Sequence, residues 1–151
     1  MAYSVPRYWA PGFLAGATDM NKYVRDNMDV ANQQELRFTV TTINTGVAVA
    51  RWIAPYPVKV NGAHVGAGTA STSGSIVFDI LKTPAGGTTA VTLFTSSSEF
   101  PTLVADAKDT TSFTAPDVTA VSSGDVLTVK MVSKGSTATA DVSLIMSLSG
   151  A

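Results

Sequence analysis

Ser75-Ile-Val-Phe-Asp-Ile-Leu-Lys82, Thr83-Pro-Ala-Gly-Gly87 and Thr88-Thr-Ala-Val-Thr-Leu-Phe-Thr95 together read as a β-hairpin. Ile76, Phe78 and Ile80 recur at period two and share one face, with Ser75, Val77 and Asp79 on the other. Pro84 has no N–H for a ladder, so the chain leaves the strand there. Gly86 and Gly87 offer the positive φ that a reversal needs. Val91 and Leu93 resume the alternation. A lone hairpin is marginal in water, so flanking strands must cover its apolar face. Phe78, in the middle of that face, is the expected core residue, and Asp79 beside it the expected solvated one.

Beyond the hairpin, residues 96–108 show no clean period, and Phe100, Leu103 and Val104 are their expected core members. Residues 110–114 and 118–121 are short strand candidates. Ser122-Ser123-Gly124-Asp125 is a turn that launches a strand over 126–132, and Lys134-Gly135-Ser136 turns again. Over 141–148, Val142, Leu144, Met146 and Leu148 alternate with Ser143, Ile145 and Ser147. Before the hairpin, residues 66–74 read as a loop of small residues. Residues 58–65 read as a strand in which Asn61-Gly62 is either a tight turn or a bulge. Pro55 and Pro57 break the chain around Tyr56, and strands over 47–53 and 37–41 flank a turn at Asn44-Thr45-Gly46. Eight or nine short strands with turn signals between them predict a mainly β fold. The expected domain, over 37–151, is an antiparallel β-sandwich or jelly-roll-like one.

Residues 1–36 are expected to form a separate attachment segment, an extended N-terminal arm followed by one short α-helix. Pro6, Pro11, Gly12 and Gly16 punctuate an arm that carries Tyr3, Tyr8, Trp9 and Phe13. Polar disordered tails are poor in aromatics, so this arm has a motive to dock, on another subunit in preference to its own domain. Over 18–31, Thr18 or Asp19 caps a helix whose Met20, Tyr23, Val24, Met28 and Ala31 make an apolar stripe. Arg25 and Asp29 are four apart and pair weakly, by about 0.3 kcal/mol. A helix this short is marginal alone, so the β-domain or a partner must cover the stripe.

Charged residues make up only 14% of the 151, below the usual quarter, while 45% are hydrophobic. Strands faced with Thr and Ser and little charge favour association with copies of the same chain, and the expected partner is itself, as a homotrimer. The net charge of −1 provides no field for nucleic acid. The absence of cysteine excludes disulfides, thiolate zinc sites and cysteine nucleophiles. Met1 to Arg7 do not read as a secretory leader, and no apolar run has the length of a transmembrane helix, so neither export nor a membrane partner is expected.

No residue set announces catalysis. His64, beside Asn61-Gly62, is expected on loop surface, with no carboxylate near it in sequence to complete a metal site. Asp79, Glu99, Asp106, Asp109, Asp117, Asp125 and Asp141 are dispersed, mostly at strand ends and turns, where Asp bonds nearby N–H groups. Their spacing favours no glycosidase pair. Gly66-Ala67-Gly68 precedes no helix and so makes no phosphate loop, and no serine sits in a Gly-x-Ser-x-Gly elbow. Trp52 and Tyr56 could stack on a sugar or a base, but beside two prolines they are expected to close one end of the sandwich. The expectation is a non-enzymatic protein with no catalytic residue, cofactor or metal.

Two stretches resemble virion proteins of tailed bacteriophages. Ala17-Thr-Asp-Met-Asn-Lys-Tyr-Val-Arg-Asp-Asn-Met28 is similar to a short N-terminal helix motif of small phage structural proteins, matched at Asn21, Val24, Arg25, Asp26 and Asn27. Ala54-Pro55-Tyr56, Phe78-Asp79-Ile80, Ser123-Gly124-Asp125 and Gly135-Ser136-Thr137 resemble head-fibre, decoration and tail-appendage domains, though Lys130 and Met131 stand where that pattern has a second acidic residue. The resemblance implies a virion structural protein, a capsid decoration or head-fibre-like one, that docks on the major capsid protein or another virion protein and stabilises the shell. It implies attachment through Tyr3, Tyr8, Trp9, Phe13, Met20, Tyr23, Val24, Arg25 and Met28. Its alternatives are a tail or neck component and a glycan-binding host-attachment module.

Overall fold

A computed structural model of the chain describes residues 34–40, 45–46, 48–110, 114–136 and 140–151. The arm and helix read over 1–31, with all nine attachment residues from Tyr3 to Met28, lie outside the described residues. The strands are β1 Gln34–Val40, β2 Ala48–Ile53, β3 Val58–Thr69, β4 Ile76–Thr83, β5 Val91–Thr92, β6 Thr102–Leu103, β7 Ala120–Val121, β8 Val126–Lys134 and β9 Ala140–Gly150. They form two antiparallel sheets, ordered β1-β9-β3-β7 and β2-β8-β4-β5, with β6 also paired to β4.

The pairing scheme has a simple logic. β1 pairs with β9, β2 with β8, β3 with β7 and β4 with β5, so the two halves of the chain run together as one antiparallel ribbon. The 75–95 hairpin is the tip of that ribbon. Folding the ribbon over brings β3 onto β9 and β4 onto β8, which closes the two sheets. This is the strand order of a jelly roll.

The hairpin's return arm is short. Leu81 and Lys82 pair with Thr92 and Val91, and at the other end of β4 Ile76 and Val77 pair with Leu103 and Thr102. β5 and β6 thus divide one side of β4 between them. Val91 and Leu93 part company: Val91 is exposed at the edge, while Leu93, whose N–H donates to the Ile80 carbonyl at 2.8 Å, is buried. At the tip only Gly86 takes a positive φ; the Gly87 N–H instead donates to the Pro84 carbonyl at 2.8 Å.

Period-two burial builds the core. Ile76, Phe78 and Ile80 of β4 and Leu127, Val129 and Met131 of β8 are buried, as are Val142, Leu144, Met146 and Leu148 of β9. In β3 the buried set changes parity, from Val58 and Val60 to Ala63, Val65 and Ala67. The cause is a bulge: Val60 opposes Leu148, Gly62 opposes Ser147 and Ala63 opposes Met146, which leaves Asn61 as the extra residue. Asn61-Gly62 is therefore a bulge and not a turn.

Four expectations need correction. The 66–74 loop begins late, since β3 continues to Thr69, opposite Ala140, and Gly66, Ala67 and Gly68 are strand residues. Val104 is 58% exposed, because β6 ends at Leu103 and the Asp106 N–H, bonded to the Ser71 carbonyl at 2.7 Å, turns the chain away. Asp79 is buried and not solvated. The Thr92 hydroxyl, carried alongside by β5, donates to Asp79 Oδ1 at 2.5 Å and accepts from the Phe94 N–H at 3.2 Å. Trp52 packs half-buried against the core from β2, while Tyr56 stays exposed with its hydroxyl on Gln34 Oε1 at 2.7 Å, so the two do not jointly close an end.

The turn before β8 forms where the sequence places it, and the buried Asp125 carboxylate explains why. It accepts from the Ser122 N–H within its own turn and from the Ala85 N–H at the ribbon tip, each at 2.9 Å. Asp125→Ala leaves both donors without that acceptor and is expected to cost about 1–3 kcal/mol, with Asp125→Asn in between. Urea denaturation checks this; an unchanged midpoint in both variants would remove Asp125 as the staple between the two turns.

Candidate functional site

The β3 bulge decides which side chains decorate the outer face of the first sheet. Beyond it, the parity change turns His64, Gly66 and Gly68 outward. On that face Arg37, Ile145 and His64 lie abreast across β1, β9 and β3, with Thr39, Ser143 and Gly66 in the next row. Ile145 is buried although it faces outward, flanked by Arg37 and His64.

Residues 107–110 run along the free side of β3. The Ala67 N–H donates to the Lys108 carbonyl at 2.8 Å and the Thr110 N–H to the Val65 carbonyl at 3.0 Å. This bridge sets Asp109 opposite Gly66 and brings Asp109 Oδ1 to 3.7 Å from His64 Nε2. His64 is thus a half-buried strand residue with a carboxylate beside it, where the sequence placed it on loop surface. The Asp109 side chain is 67% exposed, so the pair is worth little as a surface ion pair.

The rest of the site is built from missing side chains. Gly66 and Gly68 leave bare backbone as the floor of a depression of about 420 Å³, ringed by Glu35, Arg37, Lys108, Asp109 and Asp141. A Cβ on Gly66 would lie 3.7 Å from Ser143 Oγ and 3.8 Å from Asp109 Oδ1. A Cβ on Gly68 would lie 3.0 Å from the Cβ of Asp141, which leans over the strand. Asp141 takes φ +54, a left-handed conformation that Asp tolerates better than most residues. Charged residues of both signs thus ring one shallow polar floor. Among the described residues no three His, Asp or Glu side chains are grouped to hold a metal ion.

Asp117 and Glu99 serve the backbone. Asp117 accepts from the Thr95 N–H at 2.6 Å, and that bond holds its carboxyl below the ordinary value. Glu99 closes a capping box on the short 3-10 turn Ser97–Glu99 by accepting from the Ser96 N–H at 3.0 Å. Sequence reasoning missed the His64–Asp109 approach because 45 positions separate the two. The available signal was a pair of glycines in what proves to be mid-strand, where a side chain is absent for a reason. No protein-family model, curated protein or solved structure matches this chain.

Proposed function

We propose that this chain is a non-enzymatic structural protein of a tailed-phage virion, a capsid decoration or head-fibre-like protein. The observation that carries the reading is the jelly-roll strand order, an architecture that viral capsid and lectin domains use. The fold alone does not imply a function. It is joined here by the resemblance of residues 17–28 to a phage attachment motif and by the serines that β9 turns outward, Ser143, Ser147 and Ser149. In this reading residues 1–31 dock on the shell, the β-domains associate with one another, and neighbouring capsid subunits are clamped between them.

Deleting residues 1–31 tests the reading, since the cut falls ahead of β1 and leaves every described strand in place. The truncated chain is expected to melt cooperatively and to lose particle binding. Decoration at normal occupancy would show that the anchor is elsewhere. Electron microscopy of labelled particles separates a head position from a neck or tail one. The depression beside His64 favours a second reading, glycan attachment; binding on a glycan array that is lost in Asp109→Ala would support it.

A further inference from the structure

β1 stands at the open end of its sheet and, among the described residues, pairs with β9 alone. β2, next to it in the other sheet, likewise pairs with β8 alone. Such an edge presents a row of backbone N–H and C=O groups to whatever strand can reach it. The side chains of β1 alternate cleanly. Glu35, Arg37 and Thr39 point outward and are exposed, while Leu36 and Phe38 point inward and are only half-buried against the core. No proline interrupts the strand.

We infer that β1 pairs antiparallel with β1 of a second copy, about a two-fold axis through Leu36. The register follows from charge. With Leu36 opposite Leu36, Glu35 of each copy faces Arg37 of the other, and Gln34 faces Phe38. One residue further along, Arg37 faces itself and Glu35 faces Thr39; centred on Phe38, Arg37 faces Thr39 and Glu35 falls beyond the described strand. Opposite charges directly across an antiparallel pair stabilise it and like charges destabilise it, so the Leu36 register is favoured over its neighbours. The same pairing extends the first sheet across both copies and covers the remaining exposure of Leu36 and Phe38.

The inference rests on the self-association part of the reading above and not on the location of the protein. Five residues of each β1, Gln34 to Phe38, pair in this register, which makes a small interface whose occupancy depends on concentration. Copies held side by side on a surface raise that concentration without any new contact. A two-fold contact makes dimers, and joined to a three-fold contact elsewhere on the chain it closes larger assemblies.

The full chain contains no cysteine, so Leu36→Cys introduces the sole thiol. Directly opposed residues in an antiparallel pair have Cα atoms about 4.5–5.5 Å apart, within disulfide range. Mild oxidation of Leu36→Cys is expected to give a covalent dimer on a non-reducing gel, while Phe38→Cys, which faces Gln34, stays largely monomeric. A second test leaves the core untouched: Glu35→Cys mixed with Arg37→Cys should crosslink much more than either alone. In sedimentation, Arg37→Glu should weaken self-association roughly tenfold or more, and the swap Glu35→Arg with Arg37→Glu should restore it. Equal crosslinking of Leu36→Cys and Phe38→Cys, no gain on mixing, an association constant indifferent to Arg37→Glu, or a wild-type chain that stays monomeric throughout would overturn the inference. Particle binding is not read in any of these measurements, so their failure and a failure of the virion reading are distinguishable.

Discussion

Phe78→Ala is expected to cost about 3–5 kcal/mol of folding free energy, the lost transfer energy of the ring plus the cavity it leaves. Phe78 has no exposed surface; it sits between Ile76 and Ile80 on β4 and opposite Met131 of β8. A domain of this size has about 5–15 kcal/mol of stability in total, so the variant should be severely weakened or unfolded. The neighbouring substitution separates register from burial. If Asp79 were solvated, Asp79→Ala would cost under about 1 kcal/mol. Asp79 is instead buried and accepts the Thr92 hydroxyl, so the expected cost is about 1–3 kcal/mol, with Asp79→Asn milder because it keeps an acceptor. Urea melts of the three variants should rank Phe78→Ala above Asp79→Ala above Asp79→Asn. A loss below about 1 kcal/mol at Phe78 would mean that the strand's inward face is misassigned.

Gly135→Ala should be nearly as damaging, for a different reason. Gly135 takes φ +65, and a Cβ there would overlap Ser71 Oγ and lie 2.9 Å from Ser71 Cβ and 3.1 Å from the Gly74 carbonyl oxygen. Ser71 cannot easily yield. It is buried, its Oγ accepts from the Ser136 N–H at 2.8 Å, and the hydroxyl lies 2.6 Å from the Ser73 carbonyl. Left-handed strain of about 1–2 kcal/mol and overpacking of about 1–3 kcal/mol combine to roughly 2–5 kcal/mol. Gly86→Ala supplies the control, since Gly86 has φ +71 but nothing within 4 Å of its missing Cβ, and only the strain should appear. Adding Ser71→Gly to Gly135→Ala removes the clashing side chain and should recover the overpacking part, a non-additivity visible in a double-mutant cycle. Equal melting temperatures for Gly135→Ala and Gly86→Ala would show that the loop before β4 and the loop after β8 are not locked together at this point.

Apart from β6 and the far end of β3, the amino-acid pattern made legible the strands, the inward faces of β4 and β9, and the turns at Thr45-Gly46, Ser122–Asp125 and Gly135. These are local matters: side chains alternate strictly along a strand, and Gly, Pro and Asp mark reversals through their own backbone chemistry. It could not decide which strand meets which. Gln34 opposes Leu148 across nearly the whole chain, and no local property of either residue names the other. Nor could it settle β3. Counting by two from Val58 and Val60 turns His64 inward, and only the pairing with β9, which leaves Asn61 as the extra residue, sends it out to meet Asp109. The same holds for Asp79, whose place on the outer face was legible while its burial was not. That burial depends on β5 bringing Thr92 alongside, a contact set by how the two arms of the hairpin pair and not by the alternation along either arm. Periodicity is a property of one segment, whereas register, bulges and the covering of an outer face belong to pairs of segments and arise when those segments meet in the fold.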